Sequence, residues 1–436
     1  MSSSGRVQNS NESGTGTGGG SGADTGRTSG TGADGVSGAD TGRTGGTGAG
    51  RPSRNDTART PRQAPTPAAA LHGVNLAALR SHNAALLLGI VRAAGDNGVS
   101  RRELAAHTAL TPQAISKITA RLRTEGLLVE AGRRASTGGK PATVLRLVPG
   151  AAHAVGLHLD RDRATAVLVD LAGAPVASRT LPLDLGAGTA AVVESALGEV
   201  APLLATGPNV LGVGVAMPGP LDHTTGVPHR VTGFPDWDGF PLRDTLAGRL
   251  GLPVVLDKDT NAAALGLCRG AGGESFAYLH VGTGLGAGLV LGGALYRGGR
   301  TGAGEFGHQT VQLDGVPCGC GAHGCLEALC LAALSRGDHA EAARVLGTGA
   351  ANLVGLLDID RVLLGGRAVA AAPDAFVRGV AAVLAERARR TGDPEPVPVA
   401  LAAGGADQVA EGAAELILGQ LFGGVPGLTP GGPKIG

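Results

Sequence analysis

Apolar residues between positions 76 and 122 recur at helical spacing and predict three helices in about fifty residues. The first segment, NLAALRSHNAALLLGIVRAAG, carries a stripe of leucine, isoleucine and valine and ends at Gly95. A second helix is predicted in SRRELAAHTA, where Ser100 and Glu103 have the spacing of a capping box. A third is predicted in TPQAISKITARLRTEG, where Thr111 can cap and Pro112 fits the first turn.

The pattern then changes from helical to alternating. Residues 127–148, LLVEAGRRASTGGKPATVLRLV, predict two strands around a glycine-rich turn. Together with the three helices they predict an α+β winged helix-turn-helix domain. From about Ala151 strands and helices alternate in a chain rich in glycine and alanine, which favours an α/β architecture with two blocks facing each other across a cleft.

The third helix is the candidate DNA-recognition element. Its apolar positions can face a core, which leaves amide, hydroxyl and basic side chains outside, and such groups bind base edges and phosphates. The outward residues are Gln113, Ser116, Lys117, Thr119, Arg121 and Arg123. The predicted DNA-binding set, with the cap and the wing, is Thr111, Gln113, Ser116, Lys117, Arg121, Arg123, Arg133, Arg134 and Lys140. The alternative is a solvated polar helix in a small bundle.

Charge is distributed unevenly along the chain, although the formal net charge is only +1. Residues 71–148 carry 11 basic and 4 acidic side chains, whereas residues 149–436 carry 19 and 27. A compact basic segment on an acidic body is typical of a small DNA-binding domain joined to another domain. Residues 1–70 repeat SGADTGRT and contain too few apolar residues to form a core, so we expect a disordered tail. The predicted domains are 1–70, 71–149 and 150–436.

Three of the five cysteines lie in the eight residues CGCGAHGC at 318–325. Neighbours in a CxC pair can hardly reach relaxed disulfide geometry, which favours a shared metal ion. The chain has no uncharged apolar run of about 18 residues and no N-terminal stretch of signal-peptide type, so we expect a cytoplasmic protein with no membrane partner. Cytoplasmic thiols stay reduced, which again favours metal binding.

Several motifs resemble the ROK family of bacterial repressors and sugar kinases. They include GEFGH at 304–308, CGCGAHGCLE at 318–327, VGVAMPGPLD at 213–222, DTNAAALG at 259–266 and GTGLGAGLVLGG at 282–293. The resemblance covers roughly residues 72–420, and GGKP at 138–141 is similar to the repressor branch. It implies an actin-like, RNase H-type, two-lobed α/β domain with sugar in the cleft, preceded here by the winged helix-turn-helix domain.

The resemblance also implies the ligands of the site. One structural zinc would be bound by His308, Cys318, Cys320 and Cys325, a closed set of an imidazole and three thiolates; the alternative is free thiols. The sugar-binding set would be Lys258, Asp259, Glu305, His308 and Glu327. Carboxylates and imidazole suit a polyol because they hydrogen-bond directionally, although they could instead only orient the zinc and its loops. Cys268 and Cys330 match no ligand position and are expected to be small buried residues.

Kinase activity is not expected. Asp259 matches the catalytic base of the family's kinases, but Lys258 replaces the usual asparagine before it and Leu267 replaces a common glutamate. The phosphate-binding hairpin DxGxT corresponds to HLDRDR, His158 to Arg163, which places Asp160 where a glycine must approach phosphate. A carboxylate there adds bulk and like-charge repulsion, so ATP binding should be lost or weak.

The sequence therefore predicts a sugar-responsive transcriptional regulator, a repressor of carbohydrate-related genes that binds operator DNA. By resemblance it would form a homodimer or homotetramer, and two recognition helices would meet a palindromic site. Lys258 suggests an anionic or otherwise unusual ligand, or no sugar at all. Two alternatives stay open: a hexose kinase that carries a DNA-binding domain, and a ligand-independent DNA-binding protein.

Overall fold

The computed structural model describes residues 76–134, 142–269 and 273–423, with side chains throughout those ranges except at 76–81 and 134. The predicted tail at 1–70 and the predicted turn of the wing, including Lys140, lie outside the described residues.

The N-terminal part consists of three helices and a small antiparallel sheet, in the predicted order. Its elements are α1 (Leu76–Ala94), β1 (Val99–Ser100), α2 (Arg101–Thr108), α3 (Pro112–Thr124), β2 (Leu128–Arg134) and β3 (Ala142–Leu147), and the strand order is β1-β3-β2. The predicted capping box is confirmed, because Ser100 Oγ accepts from Glu103 N while Glu103 Oε2 accepts from Ser100 N. Thr111 caps α3 as predicted. Local capping chemistry therefore determines where both helices begin.

The first lobe contains a five-stranded mixed sheet of order β10-β7-β4-β5-β6. Its elements are β4 (His153–Leu159), β5 (Arg163–Asp170), β6 (Pro175–Pro182), α4 (Thr189–Thr206), β7 (Val210–Met217), the short strands β8 (Leu221–Asp222) and β9 (Val227–Pro228), α5 (Leu242–Leu250) and β10 (Val254–Lys258). Strands β4, β5 and β6 are antiparallel neighbours, whereas β4, β7 and β10 run parallel.

The second lobe repeats this arrangement in the order β13-β12-β11-β14-β15. Its elements are α6 (Asp259–Cys268), β11 (Phe276–Val281), β12 (Leu285–Leu291), β13 (Ala294–Tyr296), α7 (Leu326–Ser335), α8 (His339–Leu357), β14 (Arg361–Gly365), α9 (Arg367–Ala371), α10 (Pro373–Thr391), β15 (Val399–Leu401) and α11 (Gln408–Leu421). Both sheets thus begin with three antiparallel strands and add two parallel ones. The predicted α/β architecture is confirmed.

Helices α6 and α11 lie between the two sheets and contribute to one apolar cluster with β7, β11 and β12. Helix α11 lies against strands β4 and β7 at two glycines. A Cβ at Gly156 would lie 1.8 Å from Ala410 O, and one at Gly214 would lie 1.7 Å from Ala413 O. Glycine is required at both positions because the backbones touch directly.

The core of the first lobe surrounds Trp237, which is fully buried and donates its indole N–H to Leu185 O at 3.1 Å. One described helix, α4, is long and apolar enough to cross a membrane by length and composition alone. Its apolar face, which includes Val192, Ala196 and Val200, belongs to that core. This helix therefore packs as a core helix of a globular lobe.

The N-terminal part and the body share a third apolar cluster, in which leucines of α1, α2 and α3 meet residues of β5 and α11. A buried ionic network lies beside it. Glu415 on α11 accepts two hydrogen bonds from Arg92 on α1, at 2.6 and 2.9 Å, and one from Arg269 at 2.9 Å. The Arg92 guanidinium also lies 4.5 Å from the ring centre of Phe422. Helix α1 is thereby attached to α11 by both apolar and charged contacts.

Candidate functional site

A polar cleft lies where β10 ends and α6 begins. Loops from both lobes line a narrow cavity of about 60 Å³, which adjoins a wider pocket of about 520 Å³. The five residues predicted to bind sugar line the narrow cavity, namely Lys258, Asp259, Glu305, His308 and Glu327. The structure thus brings together side chains that are up to 69 positions apart in the sequence, 258 to 327.

Asp259 is the first residue of α6, and its Oδ1 accepts from Thr260 N at 2.6 Å. Burial raises the pKa of Asp259 to about 7, and the nearby carboxylate of Asp160 contributes to that increase. A carboxyl group that titrates near neutrality can accept a proton from a hydroxyl or share a hydrogen bond with one. The raised pKa of Asp259 therefore suits a group that accepts a proton near pH 7.

Lys258 is almost fully buried, with 3% of its side chain exposed. Its ammonium donates to Ala303 O and, at 2.9 Å, to Glu305 Oε1. The aliphatic stem runs beneath Gly219, where an added Cβ would lie only 2.6 Å from Lys258 Cδ. Lys258 therefore neutralises the Glu305 carboxylate and takes up one of the acceptor positions on that oxygen.

Glu327 lies in the first turn of α7 and is buried. Its Oε2 accepts from Leu285 N at 2.8 Å, which attaches the GTGLG turn to α7. His308 lies opposite and lines both the narrow cavity and the wider pocket. Its Nδ1 is 3.6 Å from Cys318 Sγ, so Nε2 lies on the other edge of the ring.

The four predicted metal ligands are brought together, with their ligand atoms all within 4.8 Å of one another. Cys320 Sγ and Cys325 Sγ are 3.7 Å apart. Zinc–sulfur bonds of about 2.3 Å in a tetrahedron require sulfur–sulfur distances of about 3.8 Å. The donor set and its spacing therefore fit a closed zinc site, and zinc bound there would brace the loop that carries His308.

Local backbone geometry forms the loop that carries Cys318, Cys320 and Cys325. Cys318 N donates to Ala322 O at 2.8 Å, and Gly321 turns the chain with φ of +94°. At Gly324 an added Cβ would lie 1.6 Å from Gln312 O. The other two cysteines, Cys268 and Cys330, are buried as expected, and burial raises the pKa of each thiol to about 12.

The turn between β4 and β5 contains Asp160, and its carboxylate contacts the second lobe. Asp160 Oδ1 accepts from Arg161 N at 2.7 Å and from Thr283 Oγ1 at 3.0 Å, which places the carboxylate against the GTGLG turn. His158 is buried on β4, and burial lowers its pKa to about 4. A phosphate near this hairpin would meet the carboxylate of Asp160 and the neutral imidazole of His158, together with the Arg161 guanidinium that also lines the cleft.

Sequence reasoning missed several residues of the cleft. The side chain of Arg161 lines it and donates to Thr283 O at 3.3 Å, and His280 forms part of its wall. Beside the cleft, Asp257 accepts from Arg297 at 2.6 Å and fixes the corner between β10 and α6. Of these residues, only Asp257 could have been found from the sequence, because it is a carboxylate that ends an apolar strand in PVVLD.

Most of the predicted DNA-contacting residues of α3 are exposed. Those exposed are Thr111, Gln113, Ser116, Lys117, Arg121 and Arg123, as is Arg133 on β2. Arg121 lies 3.5 Å from Glu125, and Arg123 lies 2.9 Å from Glu130. The prediction that Thr119 faces outward is wrong. Thr119 is fully buried and its hydroxyl donates to Ile115 O, because it lies on the same helical stripe as Ile115 and Leu122. The side chain of Arg134 lies outside the described residues.

Comparison with known proteins identifies the family. The ROK family matches residues 154–336. The xylose repressor of Caldicellulosiruptor bescii is 29% identical over 236 residues, which are 52% of this chain and 59% of the repressor, so the chain spans about three-fifths of that relative. A crystal structure of a ROK family transcriptional regulator, described as a homologue of the E. coli MLC protein, superposes with a TM-score of 0.66 at 22% identity, covering 79% of this chain and 97% of that one.

The crystal structure of a ROK hexokinase from Thermus thermophilus is 32% identical, with a TM-score of 0.51. It covers 60% of this chain and 96% of that one. The family match, these relatives and the shared motifs agree: this chain belongs to the ROK family.

Proposed function

We propose that the protein is a sugar-responsive DNA-binding regulator that acts as a repressor. The observation that carries the proposal is the exposed polar face of α3, on a three-helix unit followed by an antiparallel strand pair. Gln113, Ser116 and Lys117 lie together on that face, and their side chains are the types that contact bases and phosphates. In this proposal residues 71–149 form the winged helix-turn-helix domain, and Arg121, Arg123, Arg133, Arg134 and Lys140 add phosphate contacts. The similarity to a xylose repressor supports the proposal.

The effector site in this proposal is the polar cleft. Asp259, Glu305 and Glu327 supply acceptors for sugar hydroxyls, and His308 supplies a ring nitrogen. Zinc held by His308, Cys318, Cys320 and Cys325 would fix the orientation of that ring. The Lys258 ammonium is buried and paired with Glu305, so the two side chains together present a neutral ion pair to the effector, which favours a ligand other than the usual neutral hexose.

The packing offers a route from the effector to DNA. Helix α6 begins at Asp259 in the cleft and packs closely on α11, where an added Cβ at Gly412 would lie 2.0 Å from Ala262 O. Helix α11 in turn carries Glu415, which binds Arg92 on α1. An effector can change DNA affinity only by its differential affinity for two arrangements of these elements. We propose that a homodimer or homotetramer presents two such units to a palindromic operator.

A sugar kinase is the second candidate. The pKa of Asp259, raised to about 7, favours it because this value suits a general base. The position of Asp160 against Thr283 opposes it, because a fixed carboxylate between these two turns would repel a triphosphate bound beside them. We therefore propose that ATP is not a cofactor.

DNA binding at controlled salt, measured against the chain's own upstream region with a panel of sugars, tests the two candidates. ATP consumption is followed in the same samples. The regulator predicts specific binding that one sugar alters, without ATP turnover. The double substitution of Gln113→Ala and Lys117→Ala should abolish specific binding, whereas Arg390→Ala on the exposed surface of α10 should not. Sugar-dependent ATP turnover without specific DNA binding would contradict the proposal of a regulator and support a sugar kinase.

A further inference from the structure

The wider pocket beside the narrow cavity is large enough for a ligand ring of its own. The narrow cavity, of about 60 Å³, has room for only a few water molecules. The pocket, of about 520 Å³, lies within the range of about 300–1,000 Å³ for small-molecule sites. Thr232, Glu305 and His308 line both spaces. Because a hexose is larger than a few water molecules, a hexose bound at the cleft must extend into the pocket, which can take a second ring as well.

A segment of the first lobe, residues 230–238 between β9 and α5, forms one side of this pocket. Gly233, with φ of +88°, turns the chain, and Phe234 N donates to Val231 O at 2.9 Å across that turn. Trp237 is fully buried in the core and fixes the far end of the segment. The side chains of this segment are therefore held in place before a ligand binds, which lowers the entropy cost of binding.

The wall of the pocket combines an apolar part with polar groups at its rim. The apolar part consists of Pro220, Val231, Phe234 and Pro235. Phe234 is half-buried, and the guanidinium of Arg161 lies 5.8 Å from its ring centre. The C–H groups of a pyranose ring form an apolar face that can pack on such a surface, while the hydroxyls at its edge need polar partners. The pocket offers both kinds of contact.

The charged groups of the pocket are balanced. Arg230 and Asp238 lie 3.8 Å apart at the rim, with 93% and 49% of their side chains exposed. Such an exposed ion pair is weak, so both groups can exchange it for hydrogen bonds to a ligand. Glu305, on the other side of the pocket, is already paired with Lys258. A neutral polyol fits this set of donors and acceptors better than an anion or a cation does.

We propose that the effector is a glycoside of at least two rings, a disaccharide or a longer oligosaccharide, rather than a free monosaccharide. One ring is held by the sugar-binding side chains of the cleft. The next ring lies in the pocket against Phe234, with Arg230 and Asp238 as partners for its hydroxyls. Gly319 and Cys320, on the second-lobe side, are exposed, so a longer chain can extend into solvent. This proposal rests on the proposed effector site and names the class of ligand that the site takes.

Calorimetric titration of the full chain with matched probes tests the proposal. The disaccharides cellobiose, maltose and xylobiose are compared with glucose and xylose, the monosaccharides that they contain, and with glucuronate as an acidic monosaccharide. We expect at least one disaccharide to bind about tenfold more tightly than its own monosaccharide. The proposal is overturned if every disaccharide binds no more tightly than its monosaccharide, or if glucuronate binds more tightly than all of them.

The same probes, added to the DNA-binding assay, separate this proposal from the proposed function. A monosaccharide that alters DNA binding and binds as tightly as the disaccharides supports the regulator and overturns the disaccharide effector. A disaccharide that binds more tightly than its monosaccharide, without any specific DNA binding, supports the two-ring site and contradicts the regulator. Absence of binding by every probe at millimolar concentration overturns the disaccharide effector, whereas specific DNA binding in those samples still supports a DNA-binding protein.

Two variants locate the second ring. Phe234→Ala should weaken the bound disaccharide about tenfold but the monosaccharide less than about twofold, because only the second ring contacts Phe234. Tyr296→Ala is the matched control, since Tyr296 is an aromatic residue with 47% exposure that lines neither space, and it should change neither affinity. Arg230→Ala removes an almost wholly exposed side chain and serves if Phe234→Ala does not fold. An unchanged ratio of disaccharide to monosaccharide affinity in folded Phe234→Ala, or in Arg230→Ala where Phe234→Ala does not fold, overturns the assignment.

Discussion

Replacing Glu415 by alanine should destabilise the protein strongly, although this residue does not line the polar cleft. Glu415 and Arg92 have only 7% and 11% of their side chains exposed. Without Glu415 the described contacts leave the Arg92 guanidinium with the carbonyl of Ala172 and the ring face of Phe422. Removing one partner of a buried ion pair costs about 3–5 kcal/mol. Arg269 is 44% exposed, so the loss of its bond adds little.

The assay is urea denaturation followed by the fluorescence of Trp237, the only tryptophan in the sequence and a buried residue of the first lobe. Glu194→Ala is the matched control, because both partners of the Glu194–Arg249 pair are at least half exposed, and such surface pairs contribute little to stability. A double-mutant cycle of Arg92→Ala and Glu415→Ala should give a coupling energy of about 2–3 kcal/mol. If Glu415→Ala costs no more than Glu194→Ala, the buried network does not hold α1 to the body.

Three further predictions concern the cleft and its loop. Purified protein should contain one zinc per chain by elemental analysis, and Cys320→Ser should lose the metal and lower the unfolding temperature, whereas Cys268→Ser should retain the zinc. Lys258→Asn should free Glu305 and increase the affinity for neutral hexoses about tenfold by calorimetry; equal affinity of wild type and variant contradicts a ligand-selecting role. The pKa of Asp259 is raised to about 7 in the folded protein and is near 4 in the unfolded chain. The unfolded chain therefore loses this proton at lower pH, so the free energy of unfolding falls as pH rises between those values. Asp259→Asn should therefore gain about 2–3 kcal/mol relative to wild type between pH 5 and 7, and a pH-independent difference in urea denaturation refutes this.

Features that depend on residues close together in the sequence were predictable. The capping box of Ser100 and Glu103 depends on residues three apart, and the four side chains that the structure brings together as a candidate metal site lie within eighteen positions, 308 to 325. Thr119 was misplaced because polarity was given more weight than its position on the buried stripe with Ile115 and Leu122. The contact of Asp160 with Thr283 joins residues 123 positions apart, and that of Arg92 with Glu415 joins residues 323 apart. No periodicity relates such partners, since tertiary packing alone brings them together.

The attachment of α1 to α11 has a consequence during synthesis of the chain. Domains usually fold as they emerge, with the N-terminal one first. Here leucines of α1, such as Leu87 and Leu88, share a cluster with Ile417 and Leu418, which the ribosome adds more than 300 residues later. A nascent chain that ends before α11 exposes this apolar surface and leaves Arg92 without Glu415. We expect incomplete chains to be recognised by chaperones and proteases, so that only chains extending through α11 accumulate in folded form.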